Sequence, residues 1–234
     1  MMAPGLNKKR RIHHVQGEGA MSEATQLRDM FAEVTSQPHT DIPIVPLPEI
    51  DCFDPIELWE FDMILHSTKS KTSAGSDRLS YLVWKKVSED NFIRQDLVGC
   101  LNLMLSHGEF PEAWKHTLVV PIPKPGGGWR PISLLNNLSK VVDKILSRRL
   151  AHIYGERPTQ FGCTAKRSTH MAILRFLHNS AVGHVHKQIF GAIAVDFSKA
   201  YDKVPHGILI AKLQRYGIPS YYLHYIRNWL TERQ

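Results

Sequence analysis

Apolar residues recur at helical spacing through several stretches of this chain, and the run 189–195 is apolar without a break. Residues 1–50 mix Gly, Pro, His and polar side chains, with one weak helical pattern at 21–34. They close on IPIVPLPEI, whose prolines forbid helix and suit an extended arm. We read 1–50 as a disordered or extended tail and 51–234 as the folded part. At Asp54 a helix start is spelled out: an Asp cap, Pro55 at the first position, Glu57 after it, then Ile56, Trp59, Met63 and Ile64 on one side. The basic, glycine-containing stretch 67–77 reads as a flexible loop, and helical spacing resumes at 80–87 and 91–106, with Gly108 to Pro111 as the stop.

Residues 117–122 and 130–135 read as paired strands joined by the tip PKPGGGW. Its glycines let the backbone lie close to a ligand, and Lys124 and Arg130 flank it, placed to reach one anion. No Lys-Ser/Thr opens a following helix, so this is not a Walker motif, and a plain surface turn is the competing reading. Residues 138–153 form a strong amphipathic pattern with Leu138, Val142, Ile145, Leu146 and Ile153 on one side. Lys140, Lys144 and Arg148 recur on the other side, either as a solvated face or as a stripe tracking a phosphate backbone. QFGCTAKRST reads as a loop whose Ser168 caps a helix over 171–181.

The run 189–195 is long enough for a buried strand, too short for a core helix, and contains two isoleucines and a valine. It predicts a central strand with Ile189, Ile193 and Val195 packed on helices and Phe190, Ala192, Ala194 and Asp196 lining a cleft. Beyond it stand Tyr201 and a second acid, Asp202, the latter bracing a turn. His184 and His186 precede it, with no third ligand nearby to make a metal site. Pro205 opens a helix carrying Leu209, Leu213 and Tyr216, Gly217 to Pro219 ends it, and a last amphipathic helix carries Tyr222, Ile226 and Trp229.

Charge sharpens this picture. A net charge of +7 makes a polyanion the favoured partner, and 43% hydrophobic residues suffice for a core. Cys52, Cys100 and Cys163 are distant and odd in number, which fits a reduced intracellular protein of the nucleus or cytoplasm. No run reaches the roughly 20 apolar residues of a membrane span, so no membrane partner is expected. The cluster Lys8 to Arg11 is either a solvated tail or a nuclear or RNA-touching segment.

The ordered succession VVPIPKPGGGWRPISLLN, KVVDKILSRRL, QFGCTAKRST and IAVDFSKAYDKVPHGILIAKLQRYGIP resembles the reverse transcriptase domain of non-LTR, jockey-like retrotransposons, over about residue 53 to the end. The resemblance implies an α+β fold: the fingers and partial palm of a right-hand polymerase. It implies RNA-directed DNA polymerisation on an RNA template and DNA primer with deoxynucleotides, through two Mg²⁺ ions that activate the primer hydroxyl and stabilise the pyrophosphate. By the same likeness Asp196 is the first metal ligand, Phe197 offers its carbonyl to metal, and Tyr201 excludes a 2′-hydroxyl. Lys124 and Arg130 hold the triphosphate. Lys166 and Arg167 are the candidates to substitute for a family arginine that this chain lacks, and the Lys140, Lys144 and Arg148 stripe is the candidate nucleic-acid contact from its own residue pattern.

Departures carry their own expectations. Cys163-Thr164 replaces the family's Phe-Arg, and the hairpin tip is short. No (Phe/Tyr)-X-Asp-Asp motif occurs before Gln234, so the expectation is a domain truncated before its Asp-Asp hairpin, inactive alone and prone to self-association through an unpaired palm edge. The rival expectations are a non-catalytic RNA-binding or functionless remnant, and a small metal-dependent hydrolase built on Asp196 and Asp202.

Overall fold

A computed structural model describes residues 46–50, 52–70, 72–123, 125–126, 128–155, 157–197, 200–201 and 203–231, together with Thr25 and Asp29. The chain divides into two units, Met1–Asp41 and Ile42–Gln234. The second unit runs α1 (Leu58–Ser67), α2 (Tyr81–Val87), α3 (Asn91–Ser106), α4 (Glu112–Lys115), β1 (Leu118–Pro123), β2 (Trp129–Leu134), α5 (Asn137–Tyr154), α6 (Thr169–Val185), α7 (His206–Arg215) and α8 (Ser220–Leu230). This mixture of helices with a two-stranded antiparallel sheet agrees with the α+β class. No helix among the described residues is long and apolar enough to cross a membrane.

The core is helical and closes over long sequence distances. Phe61 and Leu65 of α1, Leu101 and Leu105 of α3, Val141, Val142 and Ile145 of α5, and Tyr221, Tyr222 and Leu223 of α8 are all buried in one cluster. Hydrophobic burial favours this arrangement without direction, so polar contacts must set its register. For α8 they do. Asn228 Nδ2 donates to the Gly108 carbonyl at 2.6 Å, and a His224 ring nitrogen lies 2.9 Å from the Pro48 carbonyl. Gly108 has φ +64°, and a Cβ there would stand 2.3 Å from His224 Cβ, so the turn ending α3 requires glycine twice over. Phe53 meets Tyr221 edge-on, and Phe110 does the same with Tyr225. Leu47 and Ile50 from the proline-rich arm also pack on the cluster.

The start of α1 departs from the expected cap. Glu57 is the cap, and its N–H donates to Glu60 Oε2 at 3.2 Å. The capping-box logic holds but is displaced, because residues 54–56 are used differently. Ile56 is buried, and Asn102 reads its backbone from both sides, accepting from the N–H at 2.7 Å and donating to the carbonyl at 3.0 Å. Arg149 donates to the carbonyls of Asp54 and Pro55 at 2.7 Å each. A helical turn there would withdraw those carbonyls. Trp59, expected inside, is exposed, and Phe61, Ile64 and Leu65 take the buried face.

The central strand is corrected. Residues 188–197 form neither helix nor strand, and Ile193 is 94% exposed. A strand needs partners for its N–H and C=O groups, and β1 and β2 pair with each other from Leu118↔Leu134 to Pro123↔Trp129 without reaching this segment. The faces are also reversed. Phe190, assigned to the cleft, packs edge-on against Phe176 of α6, while Ile189, Ile193 and Val195 face solvent. Ile153 at the end of α5 is likewise exposed.

Arg149 and Glu60 form a half-buried ion pair between α5 and α1, their side chains 14% and 13% exposed. Burial opposes ionisation of Glu60, and the Arg149 hydrogen bond with its positive charge overcomes it, holding the carboxyl below its ordinary range. Burial likewise opposes the Arg149 charge, and Glu60 more than restores it, so the guanidinium is held more firmly protonated than usual. Arg149→Met leaves Glu60 buried without its cation and is expected to cost about 3–5 kcal/mol in chemical denaturation at neutral pH. Because the folded pKa of Glu60 is depressed, its contribution is fully present above the unfolded value of about 4.3 and is lost as pH falls through the folded one. The stability gap between the native chain and Glu60→Gln is therefore expected to be constant near neutrality and to shrink on acidification below about pH 4.

Candidate nucleic-acid and nucleotide site

The hairpin leaves the body of the protein at α5, and its base is locked to the loop 72–79. Asn136 Nδ2 donates to the Ala113 carbonyl at 3.3 Å, and Ser76 Oγ lies 3.2 Å from the His116 carbonyl and 3.3 Å from Asn136 Oδ1. Asn137 Nδ2 donates to the Leu79 carbonyl at 2.8 Å. Lys140 Nζ reaches the Ser73 carbonyl at 3.4 Å and Asn137 Oδ1 at 3.3 Å. The basic loop expected to be flexible is thus clasped along its length. The Asn-Asn pair that does this gave only a weak signal in the sequence, that of polar residues at a helix start.

At the other end of the hairpin, Ile122 sits opposite Arg130, and Arg130 is exposed. Gly128 takes φ +78°, which only glycine adopts freely, while Gly126 has open space around it. The tip therefore has room for a ligand beside its backbone. Lys124, its proposed second cation, lies outside the described residues.

Loop 72–79, α2 and α5 enclose a groove of about 380 Å³ lined by Thr72, Tyr81, Lys140, Asp143, Lys144 and Ser147. Lys144 Nζ stands 5.9 Å from the centre of the Tyr81 ring, a cation–π placement that holds the ammonium at the groove wall. Burial lowers the Lys140 pKa; Asp77 opposes that effect and the neighbouring charge of Lys144 adds to it. Two ammonium groups facing one cleft repel each other, and an anion between them relieves the repulsion. Arg148, third in the stripe, turns elsewhere, its NH1 3.0 Å from Met63 Sδ on α1. The stripe is thus split: its first half lines a groove, and its last member touches another helix.

Lys166 is exposed and has φ +58°. Arg167 folds inward, donating from NH1 to the Arg157 and Gln160 carbonyls at 2.7 and 2.9 Å. These bonds wind the 157–168 loop, and Ser168 Oγ then accepts from Met171 N at 3.4 Å to start α6.

Asp196, Phe197 and Tyr201 are exposed, Tyr201 to 87%. Asp202 lies outside the described residues. Among the described residues no three His, Cys, Asp or Glu side chains gather to hold a metal ion.

The residues that sequence reasoning missed are Arg149 and the Gly75–Asn136 contact. Arg149 also lines a cavity of about 400 Å³ with Phe53, Asp54, His152, Tyr221 and Tyr222 among its walls. Its only sequence signal was the doubled arginine in SRRL.

Residues 122–234 match the family model for reverse transcriptase (RNA-dependent DNA polymerase). Curated relatives include the probable RNA-directed DNA polymerase from transposon BS of Drosophila melanogaster, 28% identical over 77% of this chain and 21% of that protein. The corresponding protein from transposon X-element of the same fly is 25% identical over 92% of this chain and 23% of its own length. The RNA-directed DNA polymerase from its mobile element jockey is 28% identical over 59% and 16%. The chain spans about a fifth of the length of these relatives. The resemblance read from the motifs stands: the chain is similar to reverse transcriptases of non-LTR retrotransposons.

Gly75 tests the lock on the hairpin base. An added Cβ would lie 2.2 Å from Asn136 Oδ1 and 2.6 Å from the Asn136 backbone nitrogen. Gly75→Ala is expected to destabilise the chain by about 1–3 kcal/mol in denaturant titration. Combining it with Asn136→Ala is not expected to recover that loss, since the backbone clash persists.

Proposed function

We propose, from this likeness to RNA-directed DNA polymerases, that residues 51–234 are the fingers and amino-terminal palm of a non-LTR retrotransposon reverse transcriptase, with 1–50 an appended tail. The supporting observation is the two-lysine groove built on α5, the same helix whose start anchors the glycine hairpin. A template strand lies along this groove, its phosphates drawn to Lys140 and Lys144, with Lys166 reaching it from the neighbouring loop. Arg148 and Arg167 contribute by shaping the surface, since each already contacts another part of the chain.

The hairpin holds the triphosphate of an incoming deoxynucleotide. Arg130 suits that role because its planar fork donates two hydrogen bonds to phosphate oxygens, and Lys124 adds a point charge. Asp196 holds Mg²⁺ with the Phe197 carbonyl, and Tyr201 packs beneath the sugar, where a 2′-hydroxyl would collide with the ring. When bound, Mg²⁺ supplies charge neutralisation at the phosphates. The DNA primer end is the remaining partner, and the setting is intracellular, in the nucleus or cytoplasm. On this reading the chain by itself binds RNA without extending a primer. The groove is assembled from the helical core independently of Asp196, which also favours a second reading: an RNA-binding protein without catalysis.

RNA binding followed by fluorescence anisotropy across salt concentrations tests the groove. Lys140→Ala and Lys144→Ala are each expected to weaken binding and to reduce the log–log salt slope by about one. Binding that ignores salt, or that both substitutions leave untouched, removes the groove from the reading. Primer extension on a homopolymer template separates the two readings of activity. Template-dependent incorporation that disappears in Asp196→Ala would show an active polymerase in place of a binding fragment.

A further inference from the structure

The groove between loop 72–79, α2 and α5 is lined by more than cations: Asp143 stands among Lys140, Lys144 and Ser147 on α5. All of its lining residues fall between Thr72 and Ser147. A surface that served phosphate alone would gain nothing from a carboxylate, which repels each phosphate that the lysines attract. Yet Asp143 is held in place. The Tyr225 hydroxyl, on a ring buried in the helical core, donates to Asp143 Oδ1 in a long hydrogen bond of 3.5 Å. Burial, and after it the Asp143 charge, raises the Tyr81 pKa, so the carboxylate also acts on the α2 wall of the groove.

Spacing along α5 sorts the lining into two rows. Lys140 and Lys144 are one i, i+4 pair and Asp143 and Ser147 are another, each pair separated by about 6 Å of helix rise. The first row only donates hydrogen bonds. The second accepts them, through a carboxylate and a hydroxyl. A nucleic-acid strand presents the matching alternation, phosphate acceptors with sugars between them, at a step of similar size. Only ribose carries a donor at the sugar, its 2′-hydroxyl.

We propose that Asp143 makes the groove selective for RNA over DNA, accepting a hydrogen bond from the 2′-hydroxyl of a ribose whose flanking phosphates lie on Lys140 and Lys144. Ser147 serves the next sugar along. The inference rests on the groove being a template site and goes beyond it by naming the residue that reads the sugar. With ribose, the hydroxyl proton offsets the repulsion between the carboxylate and the flanking phosphates. With deoxyribose, a C–H faces the carboxylate, which gives up water and gains no donor from the strand. Asp143 thus requires of the template the hydroxyl that Tyr201 excludes from the incoming nucleotide.

Fluorescence anisotropy of the full 234-residue chain with three single-stranded oligonucleotides of one sequence tests this: RNA, DNA, and RNA carrying 2′-fluorine, which keeps an RNA-like sugar pucker and cannot donate. The native chain is expected to bind RNA about tenfold more tightly than either other strand. Asp143→Ala is expected to tighten DNA binding and bring the RNA-to-DNA ratio to about one, while Asp143→Asn, which keeps an acceptor oxygen without the charge, retains part of the preference. If Asp143 merely balances the lysine charges, its removal tightens RNA and DNA equally and leaves the ratio unchanged, and the proposal is overturned. Equal native binding of RNA and 2′-fluoro RNA overturns it as well, without recourse to any variant. Failure of the template site itself looks different: Lys140→Ala and Lys144→Ala then leave RNA binding intact, whereas a lysine-dependent affinity with an Asp143-independent ratio removes only the sugar readout.

Discussion

The fold depends on one guanidinium. Arg149 projects from the last third of α5, donates to both oxygens of Glu60 on α1, and reaches back to the carbonyls of Asp54 and Pro55. It also lines the cavity where the start of α8 meets the 52–54 segment. The 54–60 segment, α5 and the start of α8 are thereby held at a single point. Hydrophobic burial would bring these elements together in many registers, and a planar group with five donors accepts few of them. The pair is costly to bury, and its remaining donors must be satisfied by backbone carbonyls for the arrangement to be worthwhile. That requirement explains why residues 54–56 stay non-helical despite a sequence suited to start a helix.

From the same α5, a second set of contacts serves the surface. Its amino-terminal asparagines hold the 72–79 loop and the hairpin base, and its lysines face the groove between loop and helix. Gly75 is part of this clasp: its missing side chain lets two backbones meet.

The segment bearing Asp196 is organised on different terms. Nothing in the helical core requires it, and its contacts run locally to α6 through Gln188 and Phe190. A carboxylate intended for metal needs a rigid backbone beneath it, which in a sheet comes from neighbouring strands. Here the neighbours are the open side of the segment. The apolar residues Ile189, Ile193 and Val195, which would be core beside other strands, are exposed here.

Local chemistry made much of this legible in advance. Ser168 as a cap, Gly108 and Gly217 as stops, the hairpin to within a residue or so, the span of α3 and most of the buried face of α5 all follow from interactions a few residues apart. Motif order and spacing likewise identified the kinship with reverse transcriptases. What sequence reasoning could not reach depended on partners distant along the chain. The start of α1 moved because Arg149 and Asn102, 95 and 46 residues away from the groups they bind, claimed its backbone. The basic stripe divided because Lys144 met Tyr81 while Arg148 met Met63. The run 189–195 has the composition of a strand, but the structure forms none there. A strand is a relation between two chain segments, and hydrophobicity along one of them cannot say whether the other stands beside it.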